Sequence, residues 1–290
     1  MKKIYVLGSL NMDLVIETPY MPQAGETILG KNFKTCAGGK GANQAMACGR
    51  LGGRVAMCGV VGEDAFGQTL IENLSQNGVD VSCLRKTPGP TGVAVILIEN
   101  GDNRIILDAG ANGKVTEADV DYFLSTAKKD DIFLTQLECP IPVIGYALRE
   151  AKKREMFTIL NPAPANRGII PYLQFVDLIT PNESELQIFG GISTLRETGI
   201  PVILTTLGGN GYEITKDGIS VRYPCMRVQV VDTTAAGDTL CGGLAVGLSE
   251  GRNLEDSARF GSIAASIACT RLGAQPSIPS REEVSMEDDI

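Results

Sequence analysis

Short apolar runs recur along the chain, separated by stretches with helical spacing. Ile4-Tyr5-Val6-Leu7, Val55-Ala56-Met57-Cys58-Gly59-Val60, Ile132-Phe133-Leu134-Thr135, Val176-Asp177-Leu178-Ile179 and Val202-Ile203-Leu204-Thr205 are strand-length and mostly apolar on both alternating faces. Such runs predict strands buried on both sides. Patterns such as Ala42 to Leu51 between them predict helices, so the chain reads as parallel strands joined by helical crossovers. The expected fold class is α/β, a doubly wound, mostly parallel sheet flanked by helices. Two regions break the rhythm, about 14–35 and 91–107. In the second, Val93 to Ile98 and Arg104 to Leu107 flank the turn residues Asn100-Gly101-Asp102-Asn103, a hairpin signal. A small antiparallel sheet is expected there. At 290 residues the chain exceeds the usual guide of ~100–200 per domain, but α/β sheets run this long as one unit, so residues 1–290 are expected to form one domain.

The chemistry begins at Asp232-Thr233-Thr234-Ala235-Ala236-Gly237-Asp238, which leads into the small, apolar helical stretch Thr239 to Leu248. Backbone N–H groups at Ala235, Ala236 and Gly237 would face an anion at the helix start, reinforced by the helix dipole. A carboxylate placed beside an anion has a natural task in accepting a proton from an attacking hydroxyl. An N-cap aspartate on an ordinary helix would give the same spacing.

A second glycine cluster, Ala37-Gly38-Gly39-Lys40-Gly41-Ala42-Asn43-Gln44, also opens a helix. It is not a Walker A loop, because Gly41 follows Lys40 where Ser or Thr is required, and no G-x-G-x-x-G fingerprint occurs. Together with Gly8-Ser9-Leu10-Asn11-Met12-Asp13, Asn161-Pro162-Ala163-Pro164-Ala165, Thr180-Pro181-Asn182-Glu183-Ser184-Glu185 and Gly273-Ala274-Gln275-Pro276-Ser277, these motifs resemble the ribokinase family of carbohydrate kinases over nearly the whole chain. Within that family the likeness is to the ribokinase branch rather than to fructokinases or adenosine kinases.

The resemblance implies ATP-dependent phosphorylation of ribose at its 5-hydroxyl, with Asp238 as the base and Ala235, Ala236 and Gly237 as the anion hole. Kinases for deoxyribose or another small sugar, a nucleoside kinase and a non-catalytic sugar sensor are the alternatives. It implies sugar contacts at Asn11, Asp13, Gly39, Lys40, Asn43 and Glu138, with Gly39 allowing close approach and Lys40 and Asn43 supplying donors. On the nucleotide side it implies Asn182 and Glu185 acting through the water shell of Mg²⁺. Thr206, Gly208, Gly211 and Ser262 would line the nucleotide, Ser262 standing where a histidine can occur. It further implies a potassium site at Asp232, Thr234, Ala268, Arg271, Gly273 and Ser277, formed mostly by backbone carbonyls. The small sheet would be a lid over the sugar and the contact of a homodimer. The stretch Gly190 to Gly199 is about a helix shorter than the family usually has.

Charge and composition narrow the rest. A net charge of −8 lacks the basic footprint that a nucleic-acid surface needs. Eight cysteines without a C-x-x-C pair, in a chain with no histidine, argue against zinc and read as small buried residues. Lys152-Lys153-Arg154 reads as a solvated helix face. No run approaches the ~20 apolar residues of a membrane span, and no signal-peptide pattern opens the chain, so a cytoplasmic location is expected. The acidic tail from Ser285 to Ile290 is expected to be loose.

Overall fold

The computed structural model describes residues 1–100 and 102–285. Gly101 in the expected hairpin turn and the tail beyond Ser285 lie outside the described residues. The chain runs β1 (Ile4–Leu7), β2 (Asn11–Glu17), β3 (Lys31–Gly38), α1 (Lys40–Arg50), β4 (Val55–Gly62), α2 (Ala65–Gln76), β5 (Val79–Thr87), β6 (Gly92–Glu99) and β7 (Asp102–Asp108). It continues through α3 (Glu117–Phe123), β8 (Ile132–Thr135), α4 (Ile141–Lys153), β9 (Phe157–Leu160), β10 (Leu178–Ile179), α5 (Glu183–Ile188), α6 (Gly191–Glu197) and β11 (Val202–Thr206). A hairpin, β12 (Tyr212–Lys216) and β13 (Ile219–Tyr223), and two helices, α7 (Ala236–Ser249) and α8 (Leu254–Ala268), complete it.

The main sheet has the order β13-β12-β11-β10-β9-β8-β1-β4-β5. From β5 to β11 every pairing is parallel, and β12 and β13 extend the β11 edge antiparallel. The alternation of β1 explains the layers. Ile4 and Val6 pack with side chains of α1, α7 and α8, whereas Tyr5 and Leu7 pack with those of α3 and α4. Each fully buried side chain of this size contributes about 1.5–3 kcal/mol, so a strand apolar on both faces anchors both helical layers.

The glycines of α7 set its depth. A Cβ on Gly242 would lie 2.5 Å from that of Ala47 on α1, and one on Gly243 would lie 2.6 Å from Gly261 Cα on α8. The small-residue stretch therefore lets α7 sit tightly between α1 and α8, which fixes its N-terminus at the strand ends.

A second sheet, in the order β3-β2-β6-β7, stands apart from the first. Its outer pairs β2–β3 and β6–β7 are antiparallel, as expected, and they join through a parallel β2–β6 seam. It is wider than the expected 14–35 and 91–107. Asn11 and Asp13, which follow the first strand, pair with Gly38 and Cys36 and so belong to β2. The shortened 190–199 connection still accommodates the two-turn α6, entered through Gly190 at φ 89°. Among the described residues no helix is long and apolar enough to cross a membrane.

Candidate active site

The ends of β8, β9, β10 and β11 deliver Glu138, Asn161, Asn182 and Gly208 to one edge of the main sheet, the edge where open α/β sheets bind ligands. The N-termini of α1 and α7 face each other there. Asp238 stands in the first turn of α7 and is 6% exposed. Its Oδ2 accepts a hydrogen bond from Asn43 Nδ2 at 3.0 Å, and its Oδ1 accepts one from Gln44 Nε2 at 2.9 Å. A carboxylate only accepts, so both amides are oriented without ambiguity. Gln44 Oε1 then accepts from Gln136 Nε2 at 2.6 Å, and Asn161 Oδ1 accepts from Gln44 Nε2 at 3.2 Å. The carboxylate thus heads a relay of buried amides running from α1 to β8 and β9.

Beside it, Ala235 adopts a left-handed backbone at φ 61°, a conformation that costs a non-glycine residue about 1–2 kcal/mol. That twist turns the chain into α7 and leaves the N–H groups of Ala235, Gly237 and Asp238 without partners among the described residues. The expected trio of free amides is corrected at Ala236, whose N–H donates to Thr233 O at 3.2 Å. Lys40 lines the same small polar cavity of about 200 Å³ with Asn182, Glu185, Thr206 and Asp238. The Asp238 carboxylate holds the Lys40 ammonium above its ordinary pKa against the opposing effect of burial, with Glu138 and Glu185 adding to it.

On the other side of Asp238 lie Asp13, Asn11 and Glu138. Glu138 Oε2 accepts from Ser9 Oγ at 2.5 Å and from Lys40 N at 3.2 Å, tying the loop after β8 to the start of α1. Gly39 does make a close approach possible, though to its own chain. At φ 89° its missing Cβ would lie 2.7 Å from Asn11 N. Asn43 Nδ2 gives one of its two protons to Asp238, and its buried Oδ1 has no partner among the described residues.

Burial, and then the charges of Glu138 and Asp238, push the Asp13 carboxyl up to about 7. A folded-state pKa above the unfolded value means that the native state binds the extra proton. Stability from this group is therefore complete below about 3.8 and is lost as pH rises through about 7. Asp13→Asn should raise the melting temperature of the ligand-free protein more at pH 8 than at pH 5. An equal change at both values in a thermal-shift series would refute the assignment.

A larger cleft of about 460 Å³ continues from the start of α7. Thr206, Gly208, Gly211, Gly237 and Ser262 line it, together with the sulfur-bearing Cys225, Met226 and Cys269. Asn182 and Glu185 line the small cavity and cap α5 reciprocally: Glu185 N donates to Asn182 Oδ1 at 2.8 Å and Asn182 N donates to Glu185 Oε2 at 2.9 Å. Each keeps one further polar atom for other partners.

Asp232 lies in the segment before α7. Burial pushes its carboxyl up, but hydrogen bonds from Thr234 and Gly273 outweigh that and hold it below the usual range. Thr234 N and Oγ1 both donate to Oδ1, and Gly273 N donates to Oδ2 at 2.9 Å, which joins the segment before α7 to the turn after α8. Ala268 O accepts from Arg271 N, and Ser277 Oγ donates to Ala274 O. The Arg271 side chain turns away to pair with Glu283. Among the described residues no group of three His, Cys, Asp or Glu side chains converges as a metal site.

The eight cysteines are all free, but only Cys48, Cys58, Cys139 and Cys241 are buried as expected, the other four being partly exposed. Lys152, Lys153 and Arg154 are ion-paired to Asp177 and Glu150 rather than merely solvated. Sequence reasoning gave no role to Gln44, Gln136 and Asn112. An uncharged amide inside an apolar small-residue helix, or directly after a buried strand, was the available signal for the first two.

A family model for pfkB family carbohydrate kinases matches residues 1–281, and the chain belongs to that family. It is 38% identical over 296 residues to a ribokinase of Haemophilus influenzae, covering 97% of each chain. Its fold is similar to that of a Thermotoga maritima ribokinase, at TM-score 0.87, 35% identity and 98% of each chain. It is also similar to an Arabidopsis thaliana ribokinase solved with ribose and ATP, at TM-score 0.86, 32% identity and 97% and 96% of the two chains.

Proposed function

We propose that this protein transfers the γ-phosphate of ATP to the 5-hydroxyl of D-ribose, yielding ribose 5-phosphate and ADP. The observation that carries the reading is the buried Asp238 carboxylate, held by two amides beside the unpartnered N–H groups at the start of α7. Asp238 orients the hydroxyl and takes its proton as the bond to phosphorus forms. The amides of Ala235 and Gly237 and the Lys40 ammonium face the charge that develops on the phosphoryl oxygens. Asn11, Asp13, Asn43 and Glu138 hold the sugar, with Gly39 keeping their loop close. The larger cleft takes the nucleoside, its base against Ser262.

Glu185, which lines the small cavity with Asn182, keeps one carboxylate oxygen free of the α5 cap and would hold Mg²⁺ through water, where the ion would neutralise phosphate charge. The cation site has a single carboxylate and otherwise neutral oxygens, at Asp232, Thr234, Ala268, Arg271, Gly273 and Ser277, a set suited to K⁺. Bound K⁺ would stiffen the segment leading to Ala235. The whole chain acts as one domain with the small sheet as its lid. Ile105, Ile106 and Leu107 on β7 are 53%, 65% and 48% exposed, and Phe33 on β3 is 64% exposed. Such apolar exposure on a sheet supports a homodimer through the lid. A cytoplasmic site agrees with eight unpaired thiols.

ADP release with ATP and Mg²⁺ across ribose, 2-deoxyribose, fructose and adenosine, each with and without K⁺, tests the reading. Ribose should give the highest kcat/KM, raised by K⁺. Preference for deoxyribose or adenosine would reassign the acceptor, and silence with all four would support a sensor.

A further inference from the structure

Asn112 lies on the turn that follows β7, at residues Gly110–Lys114, and is 1% exposed. Its side chain reaches a segment 101 residues away. Oδ1 accepts from Leu10 N at 2.9 Å, while Nδ2 donates to Leu10 O at 3.1 Å and to Asn11 Oδ1 at 2.7 Å. A backbone N–H only donates and a backbone C=O only accepts, so the orientation of the Asn112 amide is fixed by its Leu10 partners. The proton it turns toward Asn11 can meet only the carbonyl oxygen of that side chain. Asn11 is thereby left with its NH₂ group as the free end, and that nitrogen has no partner among the described residues.

The crowding around this contact is specific. A Cβ on Gly92 would lie 2.2 Å from Asn112 Nδ2 and 2.4 Å from Asn11 Oδ1, so the glycine at the root of β6 is what lets the two amides meet. The turn itself is pinned to the same place, with Ala111 N donating to Pro90 O at 2.9 Å. Three segments that begin or end strands of the small sheet thus converge on one amide.

We propose that Asn112 is a positioning residue that sets the hydrogen-bond polarity of Asn11, making it a donor toward a sugar hydroxyl oxygen. The proposal rests on the sugar-site reading of Asn11 given above. A polar site oriented for one partner discriminates strongly, because the wrong partner leaves buried groups unpaired.

Asn112→Asp reverses the polarity with almost no change of shape. One oxygen still accepts from Leu10 N, but the other now faces Leu10 O and Asn11 Oδ1, so the Asn11 amide must flip and show its oxygen to the sugar. The KM for ribose should rise at least ~10-fold with kcat and the ADP Kd changed less than ~3-fold. Within a panel of singly deoxygenated riboses, discrimination should fall at one hydroxyl only. Asn11→Asp places an oxygen at the same point without touching Asn112, so it serves if Asn112→Asp does not fold. The two single variants should share one discrimination profile, and their double variant should show much less than the sum of their effects. An unchanged ribose KM in soluble Asn112→Asp, or a loss of ADP and ribose affinity in parallel, would overturn the proposal. If the unsubstituted protein does not bind ribose by calorimetry, the sugar-site reading fails instead.

Discussion

Asp238→Asn is expected to lower kcat for ribose phosphorylation by at least ~10²-fold, the scale on which positioned acid–base groups act, while the fold and ribose affinity persist. The hydrogen bonds around the carboxylate say why the variant should fold. Gln44 cannot turn over, because its Nε2 also donates to Asn161 Oδ1, whose own amide is fixed by its donation to Thr180 O, so it must keep donating to Oδ1. Asn43 has no such second commitment; its Oδ1 is unpartnered, and a flip lets it accept from the new NH₂ group. One amide rotation therefore repairs the network. What cannot be repaired is the loss of a proton acceptor and of the negative charge that most strongly stabilises the Lys40 ammonium. Steady-state turnover with calorimetry of ribose and ADP binding checks this. Turnover within ~3-fold of the unsubstituted protein would remove Asp238 from the chemistry.

The parts of this site that were legible in the sequence are those written in short contiguous motifs. Ala235-Ala236-Gly237-Asp238 and Gly39-Lys40-Gly41 each place polar groups at a helix start, and local chain geometry suffices to make a helix start face a ligand. The alternation of buried strands and helices likewise specified the layers, since the two faces of β1 serve two different helix sets.

What the sequence hid is non-local. The parallel β2–β6 seam pairs residues some eighty positions apart, so nothing near Asn11 and Asp13 in the chain shows that Gly92 and Ala94 lie beside them. Nor does a buried amide reveal which end of it is free. For Asn43, only the Asp238 carboxylate shows where the amide nitrogen points and that Oδ1 is the end without a partner among the described residues. Asn112 is the clearest case, because its three partners lie at Leu10 and Asn11 and nothing in the Gly110–Lys114 turn points to them.

The second large effect expected is at Gly39, where the structure separates two reasons for a glycine that usually coincide. Alanine there meets backbone strain at φ 89° and also collides with backbone, since its Cβ would lie 2.7 Å from Asn11 N, 2.9 Å from Leu10 Cα and 2.9 Å from Ser9 O. None of these atoms can rotate away. Either the Ser9–Asn11 segment or the start of α1 has to move, and the bonds that hold them together, Gly41 N to Ser9 Oγ and Lys40 N to Glu138 Oε2, are at the moving point. Gly25 provides the comparison, because it has a similar φ of 83° but nothing within 4 Å of its missing Cβ. Gly25→Ala should cost only the ~1–2 kcal/mol of a left-handed non-glycine residue and leave kcat/KM within ~3-fold. Gly39→Ala should lower kcat/KM for ribose by at least ~10²-fold, the effect of shifting a binding constellation by about 1 Å, and should lower the melting temperature further than Gly25→Ala does. Equal kinetics and equal melting in the two variants would mean that the Gly39 loop does not hold the sugar site together.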